Sequence, residues 1–217
     1  MRSISGMPSV QPPTAGEGAL PVKANAKQDS KKDGMMKKKQ FAISESVTGQ
    51  EIKSLRKKLE LTQAEFAALV NVSVKTVERW EMGEKPVKGP IVTLRKLFLE
   101  NPQLAQRYVI PEKIYPLRLW YMNHQDVCTI LDVDERERKI QIRNFTNNYI
   151  FRAFGRVEEP TFEQYEEFLE SRCFPRTRDK MKIMLKELDL PFYDPMMIIE
   201  RTQGRMAEDN FWIRIER

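Results

Sequence analysis

Between residues 49 and 100 the apolar positions recur at helical spacing, and from residue 115 onward they shorten into runs with the texture of strands. Ile52, Leu55 and Leu59 share one face of residues 49–60, with Lys53, Lys57 and Lys58 outside it. In residues 62–83, apolar or small residues stand at Ala64, Phe66, Ala67, Leu69 and Val70 and resume at Val72, Val77 and Trp80. That pattern predicts two short helices, each with one buried stripe, joined by a tight turn. Thr62, with Glu65 three residues on, reads as a capping box for the first, and Ser73 as the N-cap of the second. Gly83 supplies a C-terminal stop, and Pro86 and Pro90 bound a loop. Residues 91–100 form another amphipathic helix closed by Asn101-Pro102, and residues 104–108 a short final turn.

Residues 117–122, 126–133, 139–144 and 148–153 are rich in β-branched and aromatic residues and are separated by polar clusters at 134–138 and 144–148. They predict a meander of three or four antiparallel strands. Helices are expected at 161–171, opened by Pro160-Thr161, at 176–189 after Pro175, and at 194–203 with Pro195 in the first turn. A closing strand is expected near 211–215. The fold class is therefore multidomain: an all-α domain over residues 41–110, then a small α+β domain over 111–217, antiparallel strands first and helices after. Residues 1–40 read as disordered, because Pro8, Pro12, Pro13 and Pro21 break any helix and large apolar residues are scarce. Met35-Met36 before Lys37-Lys38-Lys39 looks like a bacterial translation start, which makes the preceding residues an upstream extension. The alternative is a basic arm on DNA phosphates.

Charge changes this picture by dividing it. The net +6 over 217 residues is uneven: residues 1–110 hold 19 Lys+Arg against 11 Asp+Glu, and residues 111–217 hold 18 against 20. A polyanion partner follows for the first half only. Cys128 and Cys173 stand without a CxxC partner, which indicates neither a zinc site nor a disulfide framework but small buried residues in a reducing cytosol. No apolar run approaches the roughly 20 residues of a membrane span. The expected location is cytoplasmic, with no cofactor and no metal.

The outer face of the second short helix is expected to carry Lys75, Thr76 and Arg79 rather than acids, which suits a DNA major groove. The string TQAEFAALVNVSVKTVERWEMG, running into a loop with Pro and Gly and a further helix, resembles the lambda-repressor-like helix-turn-helix of phage repressors and Xre-type regulators, above all the antitoxin branch. The resemblance covers residues 49–100. It implies that Gln63 grips a DNA phosphate, that Val74, Lys75 and Arg79 meet base edges, and that Ser73 and Thr76 lie at the DNA contact, the Thr76 hydroxyl reaching phosphate. It also implies that Arg56 and Glu81 form a structural ion pair, while the spacing of Trp80 from Val77 puts it in the core rather than on a base-stacking platform. Residue by residue, alternatives stand beside these roles: Lys75 and Arg79 as a solvated face, and Val74 as a packing residue rather than a contact to a thymine methyl.

The second half is similar, over FLESRCFPRTRDKMKIMLKEL and IIERTQGRMAEDNFWIRI, to the small N-terminal module of HipA-like kinase toxins. It carries no readable kinase core, neither a Gly-rich phosphate loop nor a catalytic Asp with its metal-binding Asn. Asp179, Glu208 and Asp209 with Arg172, Arg176, Arg178 and Arg205 admit two readings, a phosphate-handling site or a structural salt-bridge network. His124 falls in a hairpin turn, and Phe211 and Trp212 read as core of the closing strand. The expected function is a sequence-specific, non-enzymatic DNA-binding regulator, a homodimer on operator DNA that autorepresses a toxin–antitoxin or mobile-element operon. Residues 111–217 would contact a cognate toxin or other protein. A DNA-tethered enzyme and a protein-interaction adaptor are the alternatives.

Overall fold

Five helices follow one another over the first half of the described chain: α1 Gly49–Lys58, α2 Gln63–Leu69, α3 Val74–Met82, α4 Pro90–Glu100 and α5 Gln103–Arg107. The computed structural model describes residues 39–217. The expectations for residues 1–38 (disorder, upstream extension, basic arm) lie outside the described residues. Three helix starts are set by their first side chain. Thr48 and Thr62 accept from the backbone N–H of Glu51 and Glu65, whose carboxylates return the bond, and Ser73 accepts from Thr76 N. Pro90 takes the first position of α4, where its missing N–H leaves nothing unpaired. Gly83 caps α3, but in extended rather than left-handed backbone.

The buried stripes meet in one core built from Ile52, Leu55, Leu59, Phe66, Ala67, Val77, Ile91, Val92 and Phe98, with Trp80 half-buried against it. Ala64, read as part of the α2 stripe, is exposed. Gly49 lets α1 pack directly on the backbone at the end of α3, since a Cβ there would lie 2.1 Å from Trp80 O. Val47 and Val87 exchange both backbone hydrogen bonds, at 2.9 and 2.7 Å, and so pin the segment before α1 to the loop after α3.

From Leu117 the chain builds a four-stranded antiparallel sheet in the order β3-β2-β1-β4, with β1 Leu117–Asn123, β2 Asp126–Asp134, β3 Lys139–Asn144 and β4 Phe211–Glu216. Residues 148–153 are not a strand. The Asn148 carboxamide oxygen accepts from Ile150 N at 3.1 Å and curls Tyr149–Phe151 into a 3₁₀ turn. The fourth strand is instead the distant β4, which pairs with β1 from Arg118↔Glu216 to Asn123↔Phe211.

Three helices complete this half: α6 Phe162–Ser171, α7 Met181–Glu187 and α8 Pro195–Thr202. The α7 helix is shorter than the spacing predicted, because Lys180 adopts left-handed backbone just before it. Leu119, Tyr121, Leu131 and Val133 of the sheet meet Tyr165, Phe168, Leu169, Ile198 and Ile199 of α6 and α8 in the main core, joined by Ile213 of β4. On the other face Trp120, Met122 and Ile130 form a smaller cluster with Phe145 and Trp212. Phe211 and Trp212 thus face opposite sides, the first toward the helices and the second toward this cluster.

Burial on both faces leaves β1 and β2 almost without exposed positions, and one charged pair sits among them. Arg118 and Asp132 are register partners, and the guanidinium grips the carboxylate at 2.6 and 2.7 Å. Both also hold the preceding linker, Arg118 through Pro111 O at 2.9 Å and Asp132 through Ile114 N at 3.1 Å. Cys128 and Cys173 are unpaired and buried, and burial pushes the Cys173 thiol up to about 12. His124 takes left-handed backbone at the β1–β2 turn and is exposed. No helix among the described residues is long and apolar enough to cross a membrane.

Candidate nucleic-acid interface

The α2–turn–α3 unit is fastened to α1 by a three-residue network. Arg56 Nε and Nη2 donate to the two oxygens of Glu81 at 2.7 and 2.9 Å, and Arg56 Nη1 donates to Leu61 O at 3.0 Å. One guanidinium therefore ties the end of α1 to the entry of α2 and to the last turn of α3. Gln63 Nε2 donates a third bond to the Glu81 carboxylate at 2.9 Å. The Arg56 hydrogen bond first, and the Gln63 bond with it, hold the Glu81 carboxyl below its ordinary range although burial works the other way. Glu81 is nearly sealed from solvent, its side chain 4% exposed.

This network bears on what Gln63 can do. Its amide nitrogen carries two N–H donors, and Glu81 takes one. The second stays available at the start of α2, so the internal bond and an external contact to an anion are compatible. The link from Gln63 to Glu81 is absent from the sequence reading; with 18 residues between the two, only the packing of α2 on α3 reveals it.

On α3, Val77 points into the core, and the opposite side presents Lys75 and Arg79, both exposed. Val74 is 40% exposed at the helix start. Thr76 is half-buried, and its hydroxyl lies 2.9 Å from that of Ser73. These side chains are brought together on one surface, because positions 75 and 79 are neighbours four residues apart on a helix. The expectation of a face without acids does not hold, because Glu78 is exposed between Lys75 and Arg79, and Met82, 86% exposed, joins that surface as well.

The charge of this half also divides further. Residues 1–41 hold eight Lys+Arg against three Asp+Glu, and residues 42–110 hold 11 against eight. Most of the positive excess precedes the helical unit, which is only mildly basic and has Arg56 and Arg95 engaged with Glu81 and Glu51.

In the second half the arginine–carboxylate string is dispersed. Arg172 is buried and donates to Asp209 at 2.6 and 3.0 Å, to Gly204 O and to Phe211 O, which fixes the end of α6 to the turn before β4. That contact holds the Asp209 carboxyl below its usual range. Arg176 pairs with Glu170, and Arg205 donates to Gln203 over the Trp212 ring. Arg178, Asp179 and Glu208 are exposed and make no ion pair among the described residues. No group of three or more His, Cys, Asp or Glu among the described residues is placed to hold a metal.

Against this geometry stand two likenesses to known proteins. The model of the MqsA family, the antitoxin component of a bacterial toxin–antitoxin system, matches residues 9–108, so the helical half is antitoxin-like. Over 58 residues the chain is 34% identical to Antitoxin HigA-2 of Vibrio cholerae serotype O1, a stretch that makes up 27% of this chain and 56% of that protein. The chain spans little more than half the length of this relative. Together the two likenesses support an antitoxin-like regulator.

Proposed function

We propose that the protein is a sequence-specific DNA-binding transcriptional regulator of the Xre type, with α2 and α3 as its helix-turn-helix and α3 as the reading helix. The observation that carries this is the exposure of Lys75 and Arg79 on one side of a helix whose other side is locked into the core. In this reading Lys75 and Arg79 reach base edges, with Val74 beside them at the helix start. Gln63, Ser73 and Thr76 contact phosphates. Arg56, Glu81 and Trp80 orient α3 and read nothing.

One short helix touches too few base pairs for useful selectivity, so the working form is a homodimer on half-sites about one helical turn apart. The antitoxin likenesses favour autorepression of a toxin–antitoxin operon, in the bacterial cytoplasm and at the nucleoid. Residues 111–217, which resemble the small module of HipA-like toxins, are assigned to the partner toxin rather than to catalysis.

The test is footprinting of the full chain on DNA upstream of its own gene, combined with co-purification of the neighbouring gene product. Paired protected half-sites are expected, at an affinity that falls steeply between low and moderate salt. Absence of any discrete protected site would overturn the reading.

A further inference from the structure

Tyr165 is 1% exposed, and its hydroxyl meets no hydrogen-bond partner. A buried hydroxyl left without a partner is unfavourable, so its position calls for an explanation. The ring sits in α6 at the base of a cleft of about 400 Å³ between the β2–β3 hairpin, α6 and the start of α8. Burial first, and then the nearby Glu135 carboxylate, push this phenol well above its ordinary range.

The cleft is acidic in a specific way. Its two arginines are already engaged: Arg138 with Glu163 and Glu166 and over the Phe162 ring at 4.4 Å, Arg176 with Glu170 and over the Tyr193 ring at 4.6 Å. Two carboxylates remain without an ion pair among the described residues. Glu135 is exposed on the hairpin, and Asp194 uses one oxygen to cap α8 through Met197 N at 2.8 Å. An anion entering here would meet both. A cation would find two carboxylates, a free phenol oxygen and an apolar wall of Phe162, Leu169 and Met196.

We propose that this cleft binds a basic side chain, lysine or arginine, of a partner protein, its aliphatic stem against Phe162, Leu169 and Met196 and its cationic head between Glu135, Asp194 and Tyr165 Oη. The proposal rests on the reading that residues 111–217 contact a protein, and it supplies the chemistry of that contact.

The full chain, carrying ¹³C-labelled tyrosine rings, is titrated with N-acetyl-arginine methylamide and N-acetyl-lysine methylamide, with the glutamate analogue as control at matched ionic strength. Saturable shifts of the Tyr165 signals are expected with the two cations and not with the acid. Glu135→Gln combined with Asp194→Asn, which keeps an N-cap residue, lowers affinity by about tenfold or more. Tyr165→Phe raises the thermal midpoint of the free protein and weakens the probe severalfold. No saturable shift, an equal response to the acidic probe, or a Tyr165→Phe chain that binds as tightly as the parent would each overturn the proposal. The titration needs no partner protein. Failed probe binding alongside a co-purifying partner removes the cleft alone, and failed co-purification removes the wider reading.

Discussion

Gly49 and Trp80 touch through their backbones: a Cβ on Gly49 would lie 2.1 Å from the Trp80 carbonyl oxygen and 3.2 Å from Glu81 Cα. Both obstacles are main chain, which cannot rotate aside as a side chain would. Gly49→Ala is expected to destabilise the helical half by about 1–3 kcal/mol through overpacking of α1 on α3. Urea denaturation measures it, and an unchanged midpoint would contradict the contact.

Because that contact sets the angle of α3, DNA binding should respond to two kinds of change differently. Lys75→Ala and Arg79→Ala are each expected to lower specific affinity by about 1–3 kcal/mol while leaving the unfolding midpoint in place. Glu81→Ala strips Arg56 and Gln63 of their shared acceptor and should lower stability and affinity together. Electrophoretic mobility shifts beside thermal melts separate the two classes.

Acid should act through the same carboxylate. The folded-state pKa of Glu81 lies below its ordinary 4.5 and that of Asp209 below its ordinary 3.8. Each therefore contributes stability that is fully present above those values and lost as pH falls through the depressed folded pKa. In that acid range the unfolded chain binds more protons, so the urea midpoint should hold near neutrality and decline below about pH 4.5. Glu81→Gln should make the upper part of that decline shallower, and an identical pH profile in the variant would count against the pairing.

The buried Arg118–Asp132 pair makes a sharper case. Asp132→Ala leaves a guanidinium in the sheet interior without its counter-charge, an expected loss of about 3–5 kcal/mol. Arg118→Met with Asp132→Leu should recover most of it, because two apolar side chains need no mutual partner. The linker would still lose the anchors at Pro111 O and Ile114 N. Limited proteolysis should therefore cut the double variant faster between residues 109 and 116, even where its melting point matches the parent.

The helix starts were legible because capping is local: Thr62 with Glu65, Ser73, Thr161 and Pro195 each act within one turn. Residues 148–153 misled because β-propensity describes a surface to be packed, and the Asn148 side chain offers the backbone a competing bond at once. Lys180 likewise stops α7 from starting early in a stretch whose spacing alone allows a helix. The pairing of β4 with β1 was not readable, since nothing near residue 211 names its neighbour. At the candidate interface, spacing on one helix put Lys75 and Arg79 side by side. The expectation of an acid-free face fails at Glu78, which the same spacing exposes, and the Gln63–Glu81 bond needed the packing of α2 on α3.

Strand order has a consequence for synthesis on the ribosome. The helical half closes its core from segments that are near neighbours in sequence, whereas β1 waits for a strand that begins at residue 211. Domains emerging first fold first, at about 5–20 residues per second. For several seconds the nascent chain thus carries a finished helical unit beside a sheet whose β1 edge is still unpaired. A ribosome stalled before residue 211 would release a molecule whose helical half is whole and whose β1 edge is still free to pair with another chain.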